Sequence, residues 1–391
     1  MSIRVLAAAV VSLAGLGVAM TVSRAAPADQ SAAATGEEAS PAAGTGYFQD
    51  VHRVADGVWV LVEPQFQVQP IGNVTIIEQG DGLVLVDAGG SAGGGRRIVA
   101  MVRSLSPKPV KAVIISQWHG DKVQGLSEIV KAWPGARTIA TTQTQAHLSE
   151  PDTMNTPGAP DAARNAAFIK SQQNIVAALV RIAGKAKTDA EKRGFQRTAG
   201  MFEQYASDVD GTLTLPTKES FASRMTIPDA NRPVEAMYLG RANTDGDAIV
   251  WLPRQKILVA GETVILPFPY GFESYPKDWL GVLQKMRSMD FRILIPGHGM
   301  PQNDRAQIDR ISAALSEVRG QVASLAAQGL SLDAVQARVD FKDQEISFVG
   351  DDPWLGRWFK EYWEHPIVAS AFKEVKGEPI VQGLKEISAR K

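Results

Sequence analysis

The chain has no cysteine. That excludes a disulfide framework, a thiolate-held zinc and lipid attachment through sulfur. Histidine is scarce, five in 391 residues, so an imidazole-based metal centre has few ligands to draw on. Neither sign of charge is in excess: 41 Lys and Arg face 42 Asp and Glu, for a net charge of -1. No basic stripe and no run of like charges occurs, which removes the electrostatic case for a nucleic-acid partner or an acidic membrane surface. Beyond residues 5–20 there is no long apolar run, and so no second candidate for a membrane span.

Residues 1–25 read as an export signal. Arg4 precedes the small, apolar run VLAAAVVSLAGLGVAM, and Ser23-Arg24-Ala25 offers small residues at the -3 and -1 positions of a cleavage site. An uncleaved anchor is the other reading, but the run falls short of the roughly 20 residues a span needs. The expected location is therefore outside the cytoplasm, periplasmic or secreted. Residues 26–46, rich in Ala, Pro, Gly, Ser and Glu, cannot bury a core and read as a flexible tether.

From Val58 the pattern changes to short β-rich runs: VWVLVE, NVTIIEQ and LVLVDAGG, the last two joined by a Gly80-Asp81-Gly82 turn. A helix is expected over Arg96–Leu105, after a flexible GGSAGGG turn that lacks the Gly-Lys-Ser/Thr ending of a phosphate loop. VKAVIIS (110–116) is a buried strand, and the loop SQWHGDKVQG leaves its C-terminal end, where ligand sites gather in layered α/β proteins. Residues 155–210 form a helical insertion, with Phe168, Gln172, Ile175, Leu179 and Ile182 on one face. It reads as padding for the sheet or as a lid over the cleft. Strands return at VEAMYLG, AIVWL, KILVAG and RILIPGHG, and residues 306–391 form a mostly helical extension to a domain of residues 47–305. Strands then helix, repeated, give two halves of an αββα sandwich.

Four strand-end loops carry polar groups: Ser116–Gly125, GRANTDGD (240–247), Gly261-Glu262-Thr263 and Pro296–Gly299. With VDAGG (86–90), their order and surroundings resemble the metallo-β-lactamase fold superfamily, whose first loop reads Thr-His-x-His-x-Asp-His-x-x-Gly. The resemblance covers about residues 50 to 300. It implies a hydrolytic ancestry and a two-metal site at these loops. Carried over by position, the first metal would have Gln117, His119 and Asn243; the second would have Asp121, Lys122 and His298, with Glu262 between the two.

Only His119, Asp121 and His298 keep the family's ligand types. Gln117 and Asn243 offer neutral amide oxygens, weak donors for a borderline-soft cation, and a lysine ammonium has no lone pair to give. Two readings stay open. In the first, Lys122 neutralises Asp121 and Glu262 in place of a metal, and the protein binds a small molecule in the cleft or acts without metal through Asp121, Lys122 and Glu262. In the second, His119, Asp121, Glu262 and His298 hold one divalent ion (zinc first, then iron or manganese) and hydrolyse an ester, lactone or amide. The cofactor is thus none or one metal.

Other residues have a bland and a sharp reading. The resemblance makes Asp87 a support for the ligand histidines; alternatively it caps the following turn. QFQVQPIGN (65–73) flanks the cleft or simply connects strands, and in PFPYGFESY (267–275) Phe268, Tyr270 and Phe272 line the mouth or pack beneath a helix. His52, His147 and His365 match no ligand position. Trp354, Trp358 and Tyr362, beside Leu355, Phe359 and Trp363, make a helix with a thick aromatic face, core first and dimer contact second.

Overall fold

The structure, a computed structural model, describes residues 50–62, 71–149 and 162–382. The export signal, the tether and residues 65–70 of the QFQVQPIGN stretch lie outside these. Twelve strands run in chain order: β1 Asp50–Ala55, β2 Val58–Val62, β3 Val74–Glu78, β4 Leu83–Val86, β5 Val110–Ile114, β6 Arg137–Thr141, β7 Glu219–Phe221, β8 Arg224–Ile227, β9 Val234–Tyr238, β10 Ala248–Leu252, β11 Ile257–Ile265 and β12 Ile293–His298. They form two sheets, ordered β1-β2-β3-β4-β5-β6-β7 and β12-β11-β10-β9-β8. The helices are α1 Ala92–Leu105, α2 Gly120–Val123, α3 Leu126–Ala132, α4 Thr142–Ser149, α5 Ala162–Ala183, α6 Asp189–Asp208, α7 Pro276–Arg287, α8 Ala306–Ala327, α9 Leu332–Gln336, α10 Lys342–Val349, α11 Pro353–Phe359 and α12 His365–Lys376.

Alternation along the strands builds the layers. Val84, Val86, Ala112 and Ile114 of the first sheet meet Val250, Leu252, Ile257 and Val259 of the second in the central core. Their neighbours Leu83, Leu85 and Val113 point the other way, onto Ile98 and Val102 of α1 and Leu126 and Ile129 of α3. Leu258, Ala260 and Leu294 face outward from the second sheet onto α7, α8 and the C-terminal helices. This is the expected αββα sandwich, with each fully buried aliphatic side chain contributing about 1.5–3 kcal/mol.

Some local expectations change. The Gly80-Asp81-Gly82 turn does join β3 and β4, with Glu78 opposite Leu83. The glycines after Ser91, however, are not a loop: Ala92–Gly95 are the first turn of α1, capped by the Ser91 hydroxyl, which accepts the Gly94 N–H. Packing overrides their poor helix propensity. A Cβ on Gly95 would stand 2.5 Å from the Gly125 carbonyl oxygen, and one on Gly125 would stand 2.1 Å from the Ala88 carbonyl oxygen. The bare backbones let α1 press against the end of the Ser116–Gly125 loop. β6 and β7 were not anticipated from sequence; both extend the parallel edge of the first sheet.

The pair α5 and α6 is packed in place. Ile175, Leu179, Phe195 and Phe202 join the outer core of the second sheet. Arg97 of α1 pairs with Asp208, and Tyr205 donates to Gln124 Oε1 at 3.0 Å. Among the described residues no helix is long and apolar enough to cross a membrane.

Candidate functional site

The site begins where β5 ends. The Ser116 N–H donates to Asp87 Oδ1 at 2.7 Å, and its hydroxyl donates to Oδ2 at 2.9 Å. Asp87 holds this position from a left-handed backbone, φ 68°, a conformation few non-glycine residues adopt. Burial pushes its pKa up to about 7, against the opposing pull of Lys122 and of the Ser116 hydrogen bonds. Asp87 therefore pins the strand end. The chain then turns at His119 into α2, which sets Asp121 and Lys122 in its first turn.

Asp121, Lys122, Glu262 and His298 converge, drawn from α2, the middle of β11 and the end of β12. The Lys122 ammonium lies 2.7 Å from Glu262 Oε1 and 3.1 Å from Asp121 Oδ2, and donates to the Gly297 carbonyl at 2.8 Å. His298 Nε2 is 3.2 Å from Glu262 Oε1 and 3.3 Å from Asp121 Oδ2. All four side chains are sealed from solvent, Lys122 completely.

Burial alone would discharge these groups, yet each is outweighed by its neighbours. It favours the neutral carboxylic acids, but Lys122 and His298 hold both Asp121 and Glu262 below the usual carboxylate range. Burial likewise opposes the ammonium and the imidazolium. Glu262, Asp121 and Asp87 keep Lys122 above its ordinary value, and the same two carboxylates of the cluster raise His298 well above its own. Two carboxylates thus face an ammonium and an imidazole in a buried site, each side favouring the charged form of the other.

A metal can be tested against this donor set. One ligand atom each from Asp121, Glu262 and His298 lies within 4.8 Å of the others. His119 is not part of that group. The space the three enclose is shared with the Lys122 ammonium, already bonded to both carboxylates. A dication there would meet a like charge at contact distance and carboxylates with their charge already compensated. An ion and the ammonium would therefore compete for the same two carboxylates.

His119 instead stands beside Trp118, ring centroids 4.5 Å apart, and its backbone N–H donates to Gln117 Oε1 at 2.6 Å. Burial lowers its pKa. Trp118 also lies 5.1 Å from His147, whose Nε2 is 3.0 Å from both carboxylate oxygens of Asp245. His52 lies in β1 and His365 opens α12, both away from the cluster. Asn243 donates to the Tyr270 carbonyl at 2.7 Å, and the Tyr270 ring is 5.3 Å from His298. Tyr270 and the partly exposed Phe272 border the site, whereas Phe268 packs beneath, against Phe359. Trp354, Trp358, Phe359 and Trp363 are buried in the chain's own core.

Sequence reasoning missed what the backbone supplies. A Cβ on Gly72 would fall 2.0 Å from Lys122 Nζ, and one on Gly297 would fall 2.3 Å from Glu262 Oε1. Asn73 clamps the Pro296–Gly299 turn, its Nδ2 donating to the carbonyls of Pro296 and Gly299 at 2.9 and 2.7 Å. The Gly72-Asn73 pair just before the strand run VTIIE was the signal available.

Residues 69–159 match the metallo-beta-lactamase superfamily profile. A linear primary-alkylsulfatase of Pseudomonas sp. (strain ATCC 19151) is 22% identical over 300 residues, 73% of this chain and 52% of that protein. A metallo-beta-lactamase type 2 of Bacillus sp. (strain 170) is 21% identical over 257 residues, 64% of this chain and 76% of that protein. Among solved structures, the stereoselective inverting sec-alkylsulfatase Pisa1 of Pseudomonas sp. superposes with a TM-score of 0.57 at 16% identity, covering 84% of this chain and 50% of that one. The chain spans about half the length of the alkylsulfatases it matches.

Proposed function

Because the chain has the metallo-β-lactamase fold and residues 69–159 match that superfamily, we propose that it is an exported protein that has given up metal-dependent hydrolysis and uses the strand-end cleft to hold a small molecule without metal. The observation that carries this reading is the position of Lys122. Its ammonium, bonded to Asp121, Glu262 and the Gly297 carbonyl, supplies the positive charge that two buried carboxylates require. His298 supplies the second. The four residues make a rigid, neutral floor, and any chemistry there would run through Asp121, Lys122 and Glu262 as acids and bases.

A second reading, one divalent ion on His119, Asp121, Glu262 and His298, draws support from the closeness of three of these donors. It requires Lys122 to lose its proton and leave both carboxylates, and His119 to join the group. The relatives' names then make alkyl sulfates and β-lactams the first substrates to try. Fold alone assigns neither, since one fold hosts many chemistries.

Mass-spectrometric metal analysis of the mature protein, purified without chelator or added metal, separates the two. Less than a tenth of an equivalent of zinc, iron and manganese together supports the metal-free reading. One equivalent, lost in both His119→Ala and His298→Ala, establishes the other and directs the work to a sulfate-ester and lactam screen.

A further inference from the structure

The position equivalent to the first metal site holds two buried amides, Gln117 and Asn243, at 0% and 1% exposure. Each has one end committed to backbone. Gln117 Oε1 accepts the His119 N–H, and Asn243 Nδ2 donates to the Tyr270 carbonyl. These partners fix which way each amide points, because only an oxygen can accept and only a nitrogen can donate. The other ends, a donor at Gln117 Nε2 and an acceptor at Asn243 Oδ1, have no partner. Leaving a buried polar atom unpaired costs about 1–3 kcal/mol, and native proteins pair nearly all of them. The two loops adjoin, the Ala248 N–H donating to the Ser116 carbonyl at 2.7 Å.

An aromatic wall stands beside Asn243, through its bond to the Tyr270 carbonyl. Tyr270, Phe272 and Tyr362 meet at centroid distances of 5.0 to 6.3 Å, and Phe272 is 37% exposed. Tyr362 lies in a single π-helical turn, Lys360–Glu364, whose widened carbonyl spacing lets Tyr362 accept the Gly271 N–H at 2.7 Å. Such turns recur at functional sites.

We propose that Gln117 and Asn243 form an uncharged amide subsite. It takes a neutral ligand group bearing one acceptor and one donor, a primary carboxamide on an aromatic ring, with the ring against Phe272 and Tyr362. The proposal rests on the metal-independent reading and names the ligand class for that same cleft.

The test titrates the full mature protein with benzamide, benzoate and benzylamine by calorimetry, on a preparation whose metal content is measured. Benzamide should bind at least about tenfold tighter than either charged probe, a margin one hydrogen-bonding pair supplies. Gln117→Glu keeps the acceptor for His119 and removes the free donor, and should weaken benzamide about tenfold. Should that variant fail to fold, Phe272→Ala, at the exposed edge, should weaken benzamide several-fold by removing the ring contact. Metal-free protein that binds all three probes alike, or none of them, overturns the amide subsite and assigns the two free amide ends to water. Stoichiometric zinc in the preparation overturns the metal-independent reading instead, whatever benzamide does.

Discussion

Lys122 Nζ and Glu262 Oε1 lie 2.7 Å apart with neither side chain reaching solvent. Removing the ammonium leaves Glu262 and Asp121 as buried anions with only His298 between them. Breaking a buried pair in this way costs about 3–5 kcal/mol. Lys122→Ala should therefore lower the melting temperature by many degrees, measured by circular dichroism at neutral pH, and an unchanged transition would show that the pair carries no stability.

Much of this arrangement was legible in the sequence. Asp121 and Lys122 follow β5 as the sequence suggests, and the apolar runs of β4, β5 and β11 fix the faces of the sheets; Glu262 and His298, expected in loops after their strands, lie instead within β11 and at the end of β12. What was not legible comes from residues that meet across the fold through backbone. Gly72 shows no chemistry of its own, and its role exists only because a bare Cα allows Lys122 to lie against it. Asn73 and Pro296 are 223 positions apart, and no local pattern joins them. His119 carries the family's ligand type, yet is absent from the close donor group of Asp121, Glu262 and His298. The start of α1 was misjudged because propensity speaks against Ala92–Gly95, while close packing on Gly125 requires glycine.

The Gly72 contact makes its own prediction. With an added Cβ 2.0 Å from Lys122 Nζ and 2.9 Å from Asp121 Oδ2, Gly72→Ala must displace an ammonium held by Asp121, Glu262 and the Gly297 carbonyl. Overpacking of this kind costs about 1–3 kcal/mol. Urea denaturation should show that loss in the midpoint without a change in slope. A variant as stable as the parent would place Gly72 farther from the ammonium than described.

His298 gives a pH dependence. Its folded pKa lies well above the ordinary value because Glu262 and Asp121 together outweigh the opposing effect of burial. Its contribution is complete below about pH 6.5, where the unfolded chain is protonated too. As pH rises past that point the folded protein keeps a proton that the unfolded chain releases, so stability falls until the folded pKa is passed, by at most ~1.4 kcal/mol per unit. Asp121 and Glu262, whose folded pKa values are lowered, act in the opposite direction, losing their contribution as pH falls below the ordinary carboxylate range. Unfolding free energies of the parent and His298→Asn between pH 6 and pH 9 isolate the histidine. The difference between them should shrink with rising pH; a constant difference would mean that the His298 pKa is unshifted on folding, and a growing one that His298 is neutral in the folded state.

The central claim is that the Lys122 ammonium occupies the place of a cation. Calorimetric titration of zinc into the parent protein and into Lys122→His tests it most directly, since the variant restores imidazole to a set already holding Asp121 and His298. The account predicts no saturable heat for the parent at micromolar zinc and one equivalent bound by the variant, the order expected when a like charge is exchanged for a donor. One equivalent of zinc bound by the parent, with release of a proton as Lys122 yields its position, would contradict it.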